Sequence, residues 1–143
     1  MFIGEYNHTL DTKGRLAVPK KFRDDLSMGG VVTKGLDKCL WIYTYEEWKK
    51  IATKLSNLPI SQTSTRAFAR LMLAGAMDVS VDRQGRVMIP EYLREYAGLG
   101  KKVVVAGLFD RLELWDDSAW SEYKAKTEAE ADIIAEQLSE LGV

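Results

Sequence analysis

The chain has 143 residues, 46% hydrophobic and 29% charged, with a net charge of −1 at neutral pH. That size fits one ordinary globular domain or two small intimate ones, and no apolar run approaches the roughly 20 residues a bilayer-spanning helix needs. A single histidine and a single cysteine exclude an internal disulfide framework, a Cys/His zinc cluster and a conventional nucleophile–base set.

No glycine-rich phosphate loop or dinucleotide fingerprint is present, so neither an enzyme nor a cofactor is expected. No basic segment followed by an apolar run opens the chain, so no secretory signal is expected, and the lone Cys39 suits a reducing cytosol. The net charge hides an asymmetry. Residues 1–111 hold 18 Lys/Arg against 12 Asp/Glu, whereas residues 112–143 hold 2 against 9. A basic body with an acidic tail is compatible with a polyanion partner, and equally with an ordinary solvated helix.

In chain order, Phe2 to Leu10 reads as extended, with Tyr6, His8 and Leu10 on one face. His8 is thereby expected to be packed and hydrogen-bonded in the structure, not a metal ligand. Asp11-Thr-Lys-Gly14 is a turn signal: Asp accepts N–H groups two residues on, and Gly supplies a positive φ. Arg15 to Val18 resumes the strand, so the unit opens on a hairpin whose tip carries Lys13 and Arg15. Pro19 suits the first turn of a short helix from Lys20 to Leu26. Strands follow at Val31–Thr33 and Leu40–Tyr43. Thr44-x-x-Glu47 is a capping box that starts a helix through about Leu55, and a second helix runs from about Ser64 to Ala74.

The whole pattern then returns. Asp11, Gly14, Arg15, Pro19 and Arg23 are matched by Asp82, Gly85, Arg86, Pro90 and Arg94, each 71 residues later. Beyond residue 30 the offset becomes 72, and Leu40, Ile42 and Trp48 face Leu112, Leu114 and Trp120. The chain is a tandem duplication. It divides into a first unit at 5–47, a helical connector at 48–75, a second unit at 76–119 and an acidic helix at 120–143. Each unit has about 45 residues, marginal for an independent core, so the halves should share one. The acidic helix, capped at Asp116-Asp-Ser118, is expected to reach Leu141. Its sparse apolar positions suggest a surface or subunit-contact helix.

The second tip carries Arg83 and Arg86. Arg presents a planar fork of donors suited to phosphate oxygens or to guanine O6 and N7, and a two-stranded ribbon fits the major groove. The plainer alternative is that Arg15 and Arg86 only pair with Asp11 and Asp82. The two roles are compatible, because the carboxylate pre-orients the guanidinium. Asp11 and Asp82 are expected to support the turns with Gly14 and Gly85, not to bind a metal. No RNA-recognition aromatic signature appears, so a duplex is the better partner.

At this motif, Asp11-x-x-Gly14-Arg15-Leu-Ala-Val-Pro19-x-x-x-Arg23 resembles the swapped-hairpin AbrB/SpoVT DNA-binding unit. Two such units in a chain of this length resemble the MraZ family of bacterial regulators of the division and cell-wall gene cluster. The opening Met-Phe-x-Gly-Glu-Tyr-x-His-x-Leu-Asp, the Ala69-Arg70 helix and the Tyr45-x-x-Trp48 cap resemble that family too. The resemblance implies an α+β fold, mostly β with flanking helices, as a double swapped-hairpin pseudo-two-fold β-barrel. It also implies a cytoplasmic, nucleoid-associated regulator that assembles into rings and binds direct repeats in double-stranded DNA upstream of its own operon. On the residues, DNA contacts are expected at Lys13, Arg15, Lys20, Arg83 and Arg86. The tips differ, Thr12-Lys13 against Arg83-Gln84, so the two copies need not contact DNA equally. The alternative left open is a protein-interaction or scaffolding ring with weak or lost DNA binding; basic tips favour the regulator.

Overall fold

The structure, a computed structural model, describes residues 1–142. The first half forms β1 (Phe2–Thr9), β2 (Arg15–Ala17), a 3-10 turn (Lys20–Phe22), β3 (Gly30–Lys34) and β4 (Leu40–Thr44). The connector holds α1 (Tyr45–Ser56) and α2 (Thr63–Ala69), which runs on into a π-helical turn (Arg70–Ala74). The second half forms β5 (Met77–Val79), β6 (Arg86–Met88), α3 (Glu91–Ala97), β7 (Lys102–Phe109) and β8 (Leu112–Asp116). The tail is α4 (Asp117–Ala129), α5 (Ala131–Gln137) and a 3-10 turn (Ser139–Leu141).

Sheet order shows the duplication in three dimensions. Six strands pair antiparallel as β1-β7-β8-β4-β3-β5, and β2 pairs with β6 in a separate ribbon. Exchanging the halves, β1 for β5, β3 for β7 and β4 for β8, turns the six-strand order into its own reverse. Each half therefore lends its first strand to the other. β1 lies along β7 from Phe2↔Phe109 to Thr9↔Lys102, and β5 lies along β3 from Gly30↔Val79 to Val32↔Met77. The pseudo-axis passes between β4 and β8, where Leu40 faces Leu114 and Ile42 faces Leu112.

The chain is thus mixed α+β, mostly antiparallel sheet with flanking helices, as the resemblance implies. Its hydrogen bonding runs in two sheets, not in one closed ring. The reason is length: β2 and β6 have three residues each, and they use their ladder bonds on one another. The first hairpin's arms are linked by the isolated bridge Leu10↔Leu16 and by the Asp11 N–H to Arg15 O bond at 3.0 Å. Closure comes from side chains. Leu16 and Val87 on the ribbon's inner face join Phe22, Ile89, Leu93, Ile42, Leu112 and Leu114 in one buried cluster drawn from both halves. The fully buried Phe22 ring meets Phe2 and Tyr6 edge-on, with centroids at 5.2 and 5.4 Å.

Local chemistry explains the remaining elements. Thr44 Oγ1 caps α1 by accepting the Glu47 N–H at 3.2 Å, while the Glu47 carboxylate pairs with Lys50 at 2.9 Å. β7 is buried on both faces, because Val103 and Val105 enter the main cluster while Val104, on the opposite face, packs with Cys39, Trp115 and Trp120 of α4. α3 ends at Gly98 in the left-handed conformation, a common helix stop.

Three expectations change. The segment after Pro19 makes only a 3-10 turn and successive tight turns, not a helix to Leu26. Lys20 and Lys21 stand at its start and Asp24 and Asp25 at its end, opposed to a helix dipole. Its repeat, α3, has Glu91 first and Arg94 in its last turn, the favourable order. The acidic tail breaks at Glu130 (φ −106°, ψ 12°) into two helices, where Glu128, Glu130 and Asp132 crowd negative charge onto a helix C-terminus. His8 is half-buried on the core side of β1 as expected, but its ring has no hydrogen bond among the described residues.

Candidate nucleic-acid interface

The two hairpin tips are built identically. Asp11 Oδ1 accepts the N–H groups of Lys13 (3.0 Å) and Arg15 (2.8 Å), and Oδ2 accepts Arg15 Nε at 2.7 Å. Asp82 Oδ1 accepts the N–H groups of Gln84 (2.8 Å) and Arg86 (2.9 Å), and Oδ2 accepts Arg86 Nε at 3.1 Å. Both carboxyls are held below the usual carboxylate value. The largest single cause is the Arg15 N–H for Asp11 and the Arg86 N–H for Asp82. Hydrogen bonds to the charged form favour it.

The glycines are required by conformation and by space. Gly14 has φ +83° and Gly85 φ +78°. A Cβ on Gly14 would lie 2.8 Å from the Ile89 carbonyl oxygen, and one on Gly85 would lie 2.5 Å from the Arg23 guanidinium. Those neighbours belong to the opposite half. Val18 N–H donates to Gly85 O at 2.8 Å, and Ile89 N–H donates to Gly14 O at 2.7 Å. Each tip is thus docked on the end of the other half's ribbon strand.

Arg23 and Arg94, the last position of the repeated motif, hold this docking. Arg23 Nε donates to Val18 O and Arg94 Nε to Ile89 O, both at 3.0 Å, while each guanidinium lies over the glycine turn of the other half. Sequence reasoning assigned them no role. The signal was their place in the motif itself, the fifth position matched between the repeats, which the turn chemistry left unexplained.

The ribbon register puts Arg15 opposite Met88 and Ala17 opposite Arg86. These four share the outer face, and Leu16 and Val87 share the inner one. Arg86 Nη1 also reaches Asp11 Oδ2 at 3.8 Å, so the ion pairs cross between halves. The arginine side chains stay 33% and 27% exposed. Arg15 engages Asp11 through Nε, and its η nitrogens have no partner among the described residues. Lys13 and Arg83 are exposed in the two turns. The structure thus brings Asp11, Gly14, Arg15, Asp82, Gly85 and Arg86 together around one ribbon. Lys20 stands apart, exposed at the start of the 3-10 turn, with Glu91 at the matching place in the second half.

The family model described as "MraZ protein, putative antitoxin-like" matches the chain twice, over residues 1–71 and 72–140. The chain belongs to the MraZ family. The division between the two matches falls inside the π-helical turn, and its step is the one that separates the Asp-Gly-Arg motifs. Among relatives, a protein named transcriptional regulator MraZ from Acetivibrio thermocellus is 48% identical over 143 residues, all of both chains. Proteins of the same name from Clostridium acetobutylicum and from a Thermoanaerobacter species are each 46% identical over the same full length. Interlocking of the halves accounts for the two family matches lying in one folded body: neither repeat has a complete sheet without the other.

Proposed function

We propose that this chain is a sequence-specific transcriptional regulator of double-stranded DNA that reads its site with the ribbon and tips formed by Lys13, Arg15, Arg83 and Arg86. The observation that carries this reading is the pair of tips, in which a carboxylate pre-orients an arginine on the outer face of a narrow two-stranded ribbon. Pre-orientation lowers the entropy lost when the fork engages a phosphate or a guanine edge. Membership in a family whose relatives are named transcriptional regulators supports it. Lys20 serves as a flanking phosphate contact. The units at 5–47 and 76–119, the connector at 48–75 and the tail at 120–143 are the working parts of this reading.

One chain neutralises few phosphates, and non-specific binding of that kind is weak, about 10⁻⁴ to 10⁻⁶ M at physiological salt. A bidentate arginine–guanine pair adds about 1–3 kcal/mol. Joining chains raises avidity by roughly 10² to 10⁴ when the sites are spaced to be reached together. The regulator accordingly acts as a homo-oligomer, a ring, on direct repeats upstream of its own operon, in the cytoplasm and on the nucleoid.

The test is a mobility shift with DNA from upstream of its gene, carrying one or several repeats, at several salt concentrations. Arg15→Ala is expected to weaken binding roughly ten- to a hundred-fold per site, Arg86→Ala by as much or less, both with native circular dichroism. Wild-type binding by Arg15→Ala, or equal affinity for one repeat and for several, overturns the reading.

A further inference from the structure

Two segments outside the tips carry opposite charge and unsatisfied apolar surface. The connector, residues 48–75, holds five Lys/Arg and no Asp/Glu. Between α1 and α2 it forms a groove lined by Leu58, Pro59, Ile60, Arg66 and Arg70 among others. Ile60 is 82% exposed. Arg66 Nη1 donates to Ile60 O at 2.7 Å, which holds the loop in place, and Arg70 is exposed with no ion-pair partner among the described residues.

The tail has the reverse character. Residues 127–143 hold five Asp/Glu and no Lys/Arg. α4 is tied to the body at its start, where Trp120 Nε1 and Lys124 Nζ both donate to the Glu5 carboxylate at 2.5 Å. Past that anchor, α5 packs chiefly on the turn that follows it. Ile134, Leu138 and Leu141 recur at helical spacing, and Leu138 and Leu141 are 36% and 74% exposed. Asp132, Glu136 and Glu140 recur four apart beside them.

We infer that the acidic tail of one copy docks in the connector groove of a second copy, its Ile134–Leu138–Leu141 face on Leu58 and Ile60 and its carboxylates on Arg66 and Arg70. Charge complementarity and the paired exposed aliphatics select this occupant. A bare polyanion would satisfy the arginines and leave Ile60 and the tail face in water. A second exposed apolar patch, around Met1 and Phe109, is edged by Asp25, Glu46, Glu47 and Asp110 and repels an acidic helix. A tail-to-groove contact is heterologous, so its repetition closes a ring or extends a filament. The inference rests on the homo-oligomer named above and specifies the contact that makes it.

The test uses full-length chains. Ile60→Cys in one preparation and Leu138→Cys in another are mixed and oxidised; the native Cys39 is buried. A disulfide-linked pair with one chain of each kind is expected to predominate over pairs of like chains. Reversing both arginines (Arg66→Glu with Arg70→Glu) is expected to weaken association by about ten-fold or more in sedimentation, because two pairs are lost and like charges are opposed. Adding Asp132→Lys with Glu136→Lys should restore it. No preferred mixed pair, an unchanged mass in the reversed variant, or failure of the second reversal to rescue overturns the inference. So does protection of the connector by DNA with the tail still free. Single-repeat DNA binding is measured alongside. If it persists while the tail–groove signals fail, this inference falls and the DNA reading stands. If it is absent while the mixed pair forms, the reverse holds.

Discussion

His8 occupies the core side of β1, where desolvation first and the Arg23 charge second push its pKa below the ordinary 6.5. A folded-state value that is depressed means the neutral ring's contribution to stability is complete above 6.5 and is lost as pH falls through the lower folded value. Asp11 and Asp82 are depressed from 3.8, so their contribution is complete above 3.8 and disappears only at more acid pH. The two windows are therefore separable. Between about pH 8 and about pH 5 the urea midpoint should fall in the wild-type chain, and the fall should shrink in His8→Gln. A midpoint series at fixed ionic strength checks this. At the tips, the same reasoning separates turn from ligand: the Asp11 carboxylate keeps its backbone donors when Arg15 is removed, so the turn survives the loss of the arginine.

Among the elements, the ribbon β2–β6 is the shortest sheet and the one most dependent on its neighbours. Its three-residue strands are extended by the bonds from Val18 to Gly85 and from Ile89 to Gly14, and those ends are held by Arg23 and Arg94. Hydrogen bonds from charged groups contribute about 1.5–3 kcal/mol. Arg23→Ala and Arg94→Ala should each lower the unfolding free energy by about that amount. Each should also weaken DNA binding through the opposite tip, since Arg23 lies over the Gly85 turn and Arg94 over the Gly14 turn. Denaturant titration paired with the mobility shift measures both. Unchanged stability in either variant would contradict the crossed docking.

For the whole molecule, interlocking makes half a chain an incomplete fold. Residues 1–75 contain β1 but not its partner β7, and β3 without β5. Pseudo-symmetry supplies one remedy: β1 of one fragment can pair with β3 of another, as β5 does in the intact chain. The fragment should therefore melt in a concentration-dependent transition as a dimer and be unfolded when dilute, with no folded monomer. Circular dichroism at several concentrations, with sedimentation, checks it. The intact chain should unfold in one transition seen alike by tryptophan fluorescence and circular dichroism, because the buried cluster draws on both halves.

The amino-acid sequence by itself determined the duplication, the two Asp–Gly–Arg turns, the strands, the helices other than the segment after Pro19 and the broken tail, and the basic–acidic division. All of these are local or periodic properties, set by side-chain chemistry within a few residues. The strand exchange was foreshadowed only through the small size of each repeat and the family resemblance. The register that puts Arg15 and Arg86 on one face was decided by tertiary structure, since pairing partners lie some 70 residues apart and a one-residue slip would turn every side chain over. Tertiary structure also decided that two short strands form a separate ribbon and not part of a closed barrel. The role of Arg23 and Arg94 was marked along the chain only by their place in the repeat. Each donates to a carbonyl of its own half, Val18 or Ile89, and covers the glycine turn of the other, and that carbonyl and that turn become neighbours only when the two halves interlock.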